Sequence, residues 1–400
     1  MREALAVKVG RVSPRADAIT RGKTHGSRGG SPHPYTRLVL SIIMPAIILA
    51  SNSRAGDLNK GRAYKDHAFA EFFRRISGWT SGDGALSVPL SDGRVLWLFG
   101  DSHIDDFDPK TQTTPCLFQV RNAGLLQETN SLSNARTLIA AGPGSRTWFR
   151  NSTDADEWFW PVCGFEEGKS VYVYLAALQK TGKGGMWGFK ARDHDYLAKL
   201  AFPEMTIVSY LPLPNFNGIT FGQGFVTEGE NMFAFGMKKH GTASEVYVAR
   251  FNPGAPENNW TFWDGQQWNA IVTNALPIAH GTSTSVHICK VKDMFLLTTT
   301  AFSVACDQGK EIFMATSSNP TGPFSPLKTV YKLDDLYEGH YPFFYLAIAH
   351  PEFLNEKNEI LVTYSINGYE PCVSACVKGR AIPDHYRPKA IRVPLDQIRN

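Results

Sequence analysis

The sequence predicts an all-β fold, a five-bladed β-propeller preceded by an N-terminal signal segment and a short helical lead-in. Long helical periodicities disappear after Gly78, and short apolar runs bounded by Gly, Asp, Asn and Pro replace them. Five of these runs recur at nearly even spacing, their starts lying 75, 61, 62 and 66 residues apart. They occupy residues 96–101, 171–176, 232–237, 294–300 and 360–365.

Most of the five runs directly follow a charged or Gly-containing turn, such as SDGR at 91–94 and EEGK at 166–169. Each run is therefore expected to be the second strand of a hairpin, with further strands completing each blade. A double-sheet sandwich is also all-β, but it does not require so regular a spacing. We therefore expect five repeats to form five blades around one axis.

The N-terminal region has the features of a removable leader sequence. Residues 1–37 are basic, and 38–50 (LVLSIIMPAIILA) form an apolar run that is too short for an ordinary transmembrane helix. This order is typical of a signal peptide, with cleavage after Ala55. An uncleaved anchor or a buried strand is the alternative. The expected organisation is a leader over 1–55, a mildly helical lead-in over 56–78 and the propeller over 79–400, in a secreted or periplasmic protein.

Net charge excludes two partner classes once the leader is set aside. The whole chain carries +4, but residues 1–55 hold nine Lys/Arg and two Asp/Glu. The remainder has 32 basic and 35 acidic residues, a net charge of −3. We therefore expect no nucleic-acid partner and no stable membrane association after leader removal.

The six cysteines show neither the CxxC nor the Cys/His spacings of zinc sites. We therefore expect neither a metal nor another cofactor. If the protein is exported, its cysteines can form disulfides. Cys289 with Cys306, or Cys372 with Cys376, would close a loop, while small buried thiols are the equal alternative.

The first hairpin, WTSGDGALSVPLSDGRVLWLFGDSHIDDFD at 79–108, is the most informative stretch. A three-residue loop over 91–93 would pair Leu90 with Arg94, and the same register would pair Asp83 with Asp101. Directly opposed residues have Cβ atoms about 4.5–5.5 Å apart, so the two carboxyls would repel each other and one pKa would rise. A protonated acid beside an ionised one suits glycosidase chemistry. A two-residue loop would separate the acids, and strand-end capping is the structural alternative.

Other candidate residues follow the same strands. His103 follows the second acid, with Asp105, Asp106 and Asp108 in a loop that could shape a pocket or bind calcium but lacks an EF-hand layout. The substrate-binding candidates are His103, Arg121, Asn122, Trp160, His350 and Glu352. A structural ion pair is the alternative for Arg121, and blade packing is the alternative for Trp160 and its neighbour Trp158.

The motif GDGALSVPLSDGRVLWLFGDS at 82–102 resembles the opening of the propeller family catalogued as domain of unknown function 4185. Further resemblances are FQVRNAGLLQ (118–127), WFWPVCGF (158–165), YVARF with WTFWDGQQW (247–268), SSNPTGPF (317–324), YLAIAHPEF (345–353) and YRPKAIRVPL (386–395). Val162-Cys163 departs from that family's usual Gly-Asp. The resemblance implies five blades, kinship with endo-acting D-arabinofuranosidases, and Asp83 and Asp101 as the catalytic pair.

These observations predict a secreted glycoside hydrolase that cleaves a polysaccharide with Asp83 and Asp101. The resemblance further implies an endo-acting furanosidase on a D-arabinan-like glycan. A non-catalytic carbohydrate-binding propeller is the alternative. Nucleophilic-serine motifs, phosphate loops and the dinucleotide fingerprint do not occur in the sequence.

Overall fold

The computed structural model describes residues 62–129, 131–142, 144–151, 153–182, 188–368 and 376–399. All of them lie in one compact unit, Ala55–Asn400. The expected leader, 1–55, and its cleavage site lie outside the described residues. Within the described part, no helix has the length and apolarity needed to cross a bilayer.

The predicted five-bladed propeller is confirmed, because five antiparallel sheets follow one another along the chain. Blade 1 contains Trp79–Pro89, Val95–Ile104, Ala123–Gln127 and Ala135–Leu138, and blade 2 contains Glu157–Glu167, Ser170–Lys180, Tyr196–Ala201 and Thr206–Pro212, with Phe189–Ala191 added. Blade 3 contains Thr220–Glu228, Asn231–His240, Ala243–Phe251, Thr261–Trp263 and Trp268–Asn269, with Ala279–Gly281 added. Blade 4 contains Val286–Val291, Met294–Thr300, Glu311–Ser317 and Lys328–Lys332, and blade 5 contains Phe343–His350, Glu359–Asn367, Lys389–Pro394 and Tyr64–Lys65. Each of the five regularly spaced runs lies in the second strand of its blade, as predicted.

The hydrophobic core lies between neighbouring blades. Leu86, Val88 and Leu96 of blade 1 pack with Phe159 and Val173 of blade 2, and similar clusters join the later blades. Both faces of the second strand of a blade are therefore covered, and Val95–Ile104 is buried at all ten positions. This explains why the second strands have continuous apolar sequences.

The ring closes through the expected lead-in. Tyr64–Lys65 pairs antiparallel with Lys389–Pro394 and becomes the outermost strand of blade 5. The predicted helix is present as His67–Phe72, capped where Asp66 Oδ1 accepts a hydrogen bond from the Phe69 amide at 3.1 Å. Part of the 56–78 segment thus belongs to the propeller itself rather than preceding it.

The remaining short elements complete the fold. They comprise the helix Leu395–Arg399, short 3-10 turns at Val272–Asn274, Pro351–Phe353 and Pro383–Tyr386, and a two-stranded sheet of Thr114–Pro115 with Arg380–Ala381. A disulfide between Cys116 and Cys376 braces that small sheet. Both sequence-derived pairings are wrong, because Cys289 is a free buried thiol and Cys376 bonds to Cys116. The fold joins cysteines that are 260 residues apart in sequence, which local spacing cannot reveal.

Candidate active site

The first hairpin has the predicted turn. The Leu90 amide donates to the Arg94 carbonyl at 3.0 Å, and Gly93 adopts a φ of +85°. The expected register holds from Pro89↔Val95 to Leu86↔Leu98. It then shifts at a β-bulge, where Gly84 (φ +106°) lies opposite Phe99, and recovers at Gly82↔Ser102. Asp83 and Asp101 therefore lie beside each other at the bulge rather than as a direct cross-strand pair.

Gly100 makes room for the Asp83 carboxylate. A Cβ atom at this position would lie 2.4 Å from Asp83 Oδ1, a distance that real Cβ contacts do not reach. The Asp83 carboxylate thus rests against the backbone that precedes Asp101. This close approach explains why a glycine precedes the second acid.

Both acids line a cavity of about 1900 Å³ to which all five blades contribute. One inner-strand residue from each blade, or from the loop that leads into it, illustrates this: Asp83, Trp160, Gln223, Ser285 and Tyr345. A large concave cavity lined by apolar side chains and a few convergent polar groups is the usual location of a ligand site. It is large enough for a ligand of several sugar units.

Asp83 is held by two phenols. Tyr345 Oη donates to Asp83 Oδ2 at 2.8 Å, and the Tyr386 side chain hydrogen-bonds to the same carboxyl group. Burial raises the pKa of Asp83 to about 6, and the two phenol hydrogen bonds oppose that rise because they favour the ionised form.

Asp101 has weaker support. Arg121 Nη1 lies 3.5 and 3.4 Å from its two carboxylate oxygens, and Trp160 Nε1 lies 3.4 Å from Oδ1. Burial and the neighbouring charge of Asp83 raise the pKa of Asp101 to about 8, against the lowering effect of Arg121 and Trp160. The two acids therefore titrate as a coupled pair, in which burial and the charge of Asp83 raise the pKa of Asp101 further than burial raises that of Asp83.

Two of the predicted substrate-binding residues line the cavity. Trp160 lies against the acid pair, and Arg121 has a side chain that is 41% exposed. The Arg121 guanidinium lies over the rings of Phe118 and Trp158, at 5.0 and 4.4 Å from their centroids. Contact with two rings restricts the position of the guanidinium group, which also lines the cavity.

His103 and Asn122 lie elsewhere, contrary to the expectation that they contact substrate. His103 is fully buried, and its Nδ1 lies 2.6 Å from Asp106 Oδ2. Asn122 is fully buried and bonds the carbonyls of Phe149 and Phe159 and the Phe149 amide. Neither belongs to the described cavity wall, because each satisfies buried polar groups of the scaffold instead.

His350 and Glu352 are likewise separate from the described lining of the cavity. His350 is fully buried, with Nδ1 2.6 Å from Ser87 Oγ and Nε2 2.8 Å from Thr363 Oγ1. Glu352 Oε1 lies 3.7 Å from the same ring. The HPE turn therefore joins blade 5 to blade 1 rather than pointing into the funnel.

The acidic loop after His103 is engaged in scaffold contacts. Asp105 pairs with Arg146 at 2.6 Å, and Asp108 accepts from the Lys110 amide at 2.9 Å. Among the residues that the structure describes, no group of three or more His, Cys, Asp or Glu side chains is arranged to hold a metal ion.

Tyr345, Tyr386 and Asn367 are site residues that the sequence analysis did not single out. Tyr345 and Tyr386 begin two of the segments quoted above for their family resemblance, but nothing in either segment indicates contact with an acid 260 or more residues earlier. The ring closure of blade 5 onto blade 1 creates that contact. Pairing of the distant blades was therefore the missing information.

The sequence of this propeller matches one known protein family. The family model described as "Domain of unknown function (DUF5005)" matches residues 66–395. The chain belongs to the DUF5005 family. The matched range includes both acids, the N-terminal helix and all blade strands except Tyr64–Lys65. The match shows DUF5005, whereas the family expected from the sequence motifs was DUF4185. No curated protein matches this DUF5005 member.

Solved structures resemble this DUF5005 member in fold. A protein from Bacteroides ovatus ATCC 8483, provisionally described as a hydrolase, aligns with a TM-score of 0.66 and 20% identity over 84% of this chain and 92% of its own. The GH43 protein BlXynB from Bacillus licheniformis has a TM-score of 0.46 and 10% identity, over 83% and 59% of the two chains. The GH62 α-L-arabinofuranosidase of Coprinopsis cinerea has a TM-score of 0.41 and 10% identity, over 80% and 92%. The first likeness shows the fold alone, and the other two add nothing to it.

Proposed function

We propose that the protein is a glycoside hydrolase whose catalytic pair is Asp83 and Asp101. The observation that carries the proposal is the placement of two adjacent carboxyl groups with raised pKa values in the wall of the large central cavity. Carboxyl groups whose charge is fully compensated by cations or donors keep low pKa values, whereas the pKa of Asp101 stays raised despite contacts with Arg121 and Trp160. Acids held in unlike protonation states beside an open cavity suit glycosidic bond cleavage.

The surroundings of the two acids support a division of roles. Asp101, whose pKa is raised more, donates a proton to the oxygen of the departing sugar. Asp83, stabilised as a carboxylate by phenol donors, supplies the attack, either directly on the anomeric carbon or by taking a proton from the attacking water. In both routes the glycosidic C–O bond breaks, one water molecule is consumed, and the pair returns to its starting protonation.

For the substrate, we propose a furanose polymer of the D-arabinan type that is cut internally. The support is the resemblance of the 82–102 motif to a family with endo-acting D-arabinofuranosidases, together with a cavity of about 1900 Å³. Furanosides need little ring distortion to reach an oxocarbenium-like transition state, so a well-placed acid pair suffices.

For localisation, we propose a secreted or periplasmic protein. The leader-like N-terminal sequence is one support, and the Cys116–Cys376 disulfide is another, because disulfides persist in oxidising compartments. In this setting, a polysaccharide outside the cytoplasm would be the accessible substrate.

The test is a screen of the purified protein against plant and bacterial arabinans, xylans and other polysaccharides, with products followed over time by chromatography and mass spectrometry. Early release of mixed oligosaccharides from an arabinan supports the proposal. Exclusive release of monosaccharide would refute internal cleavage, and activity confined to pyranose polymers would refute the furanose assignment. Binding without any hydrolysis would favour a carbohydrate-binding propeller instead.

A further inference from the structure

The seam between blade 5 and blade 1 contains two facing irregularities. Blade 1 bulges at Gly84, and blade 5 shifts register between Tyr345 and Ile348, with Leu346 at a φ of +51°. A positive φ at a non-glycine residue is uncommon and marks a locally demanding conformation. Both irregularities flank the Asp83 carboxylate, which suggests that the local backbone is shaped around it.

Blade 5 holds the backbone next to Asp83 as well as its side chain. Ser365, the cross-strand partner of Tyr345, accepts a hydrogen bond from the Gly84 amide at 3.0 Å. Tyr345 Oη donates to Asp83 Oδ2 at 2.8 Å. The same hairpin therefore fixes both the main chain and one carboxylate oxygen.

The Tyr345 ring is itself fixed from two directions. Phe343 stacks on it with a centroid separation of 4.6 Å and an interplanar angle of 22°. The Asn367 side chain hydrogen-bonds to its hydroxyl group. A phenol with its ring and oxygen both held offers its single proton in one direction, which is how supporting residues preorganise a reactive group.

We propose that Tyr345 is a positioning residue for the hydrolysis proposed above, and that its hydroxyl occupies Asp83 Oδ2 so that Oδ1 is the oxygen presented for reaction. Oδ1 and Trp160 Cδ1 both approach the position that a Cβ atom at Gly100 would occupy, and Asp83, Gly100 and Trp160 all line the cavity. A fixed oxygen contributes to catalysis because small errors in the position of a reacting atom lower the rate steeply.

The charge on Asp83 depends on the same contact. The titratable groups that face this carboxyl are Asp101 and Arg121 from blade 1, Tyr345 from blade 5 and Tyr386 from the C-terminal 3-10 turn. Asp101 is the acid partner, and Arg121 contacts Asp101 rather than Asp83. The two phenols donate directly to Asp83, as do the backbone amides of Asp83 and Asp101. All of these hydrogen bonds favour ionised Asp83, so loss of one phenol donor should raise the pKa of Asp83.

The experiment compares Tyr345→Phe with the wild type and with Tyr331→Phe, a control in blade 4 whose hydroxyl donates to exposed Asp334 at 3.0 Å. Tyr345→Phe keeps the ring that stacks on Phe343 and removes only the hydroxyl. We expect kcat to fall about 10- to 100-fold, as for loss of one hydrogen bond to a charged group, with a smaller change in KM. The acidic limb of the kcat/KM profile should move to higher pH, because more alkaline solution is then needed to ionise Asp83.

A second readout separates this inference from the proposed function. The pKa of Asp83 is measured by carboxyl ¹³C NMR titration in both proteins, which requires no substrate. A higher Asp83 pKa in Tyr345→Phe supports the positioning role even if no polysaccharide is cleaved. An unchanged Asp83 pKa, or a fall in activity accompanied by a lower melting temperature with the acidic limb unmoved, would overturn it.

Discussion

Two groups of buried polar side chains differ sharply in how well they are satisfied. His103, Asn122 and His350 are fully buried and hydrogen-bonded at 2.6–2.8 Å to scaffold partners. Asp101 receives contacts of only 3.4–3.5 Å, and it lies beside a second carboxyl group. The first group stabilises the propeller, whereas the second retains an electrostatic conflict at the wall of the central cavity.

This difference in hydrogen bonding indicates which buried side chains are available to react with a ligand. Buried polar groups with short, complete hydrogen bonds have little free-energy reason to interact with a ligand. An acid that stays protonated near neutral pH because of burial and a neighbouring charge can give up its proton to a leaving group. The completeness of hydrogen bonding therefore separates the two groups better than residue type does, since both contain side chains common in active sites.

Gly100→Ala tests the cavity side of this comparison and has the largest expected effect among the substitutions that keep both acids. The added methyl group would displace the Asp83 carboxylate, since only that side chain lies within 3 Å of the new atom. We expect hydrolysis to fall about 100-fold or more with little change in melting temperature. Gly254→Ala, at a surface turn, is the matched control. Retention of near wild-type turnover by Gly100→Ala would break the proposed placement of Asp83.

Asn122→Ala tests the scaffold side. The substitution leaves two buried carbonyls and one buried amide without their partner, so we expect the free energy of unfolding to fall by about 3 kcal/mol. Denaturant titration measures this loss. The pH profile of the remaining hydrolysis should keep its shape, because the Asn122 side chain makes its hydrogen bonds to Phe149 and Phe159 rather than to either acid. A stable variant with a raised KM would instead restore Asn122 as a substrate-binding residue.

Arg121→Met should have a smaller effect on activity, and it tests how Arg121 controls the pKa of Asp101. The positive charge of Arg121 lowers the pKa of Asp101, so its removal should raise that pKa. Because Asp101 must be protonated to act as the acid, the basic limb of the kcat/KM profile should move to higher pH. We also expect KM to rise about 10-fold if the guanidinium edge binds sugar hydroxyls. Arg121→Lys is the charge-preserving control, and a basic limb that shifts equally in both variants would contradict this explanation.

Much of the fold could be predicted because local signals repeat. The Asp92-Gly93 turn determined the register of the first hairpin, and the spacing of the apolar runs indicated five blades. The bulge at Gly84 could not be inferred, because the Gly-Asp-Gly sequence is also compatible with a regular strand end. It changes the relation of the two acids from opposed partners to neighbours.

The candidate site was only partly predictable because it depends on contacts between distant segments. Asp83 and Asp101 share one hairpin, so their proximity follows from local register. Tyr345 reaches Asp83 only after the ring has closed, and the Cys116–Cys376 pairing depends on the same closure. His350 was misplaced for the opposite reason, since a histidine next to Pro and Glu has no local feature that distinguishes a scaffold hydrogen bond from a cavity contact.

The most direct test of the central claim is turnover by Asp83→Asn and Asp101→Asn on a polysaccharide that the wild type cleaves. Each variant should lose at least about 1000-fold in kcat, because one loses its attacking carboxylate and the other its proton donor. Neither melting temperature should fall at pH 8: folding raises both carboxyl pKa values, so their ionised forms weaken the fold as pH rises, and the amides do not ionise. Near wild-type turnover by either folded variant would contradict the assignment of this pair as the catalytic acids.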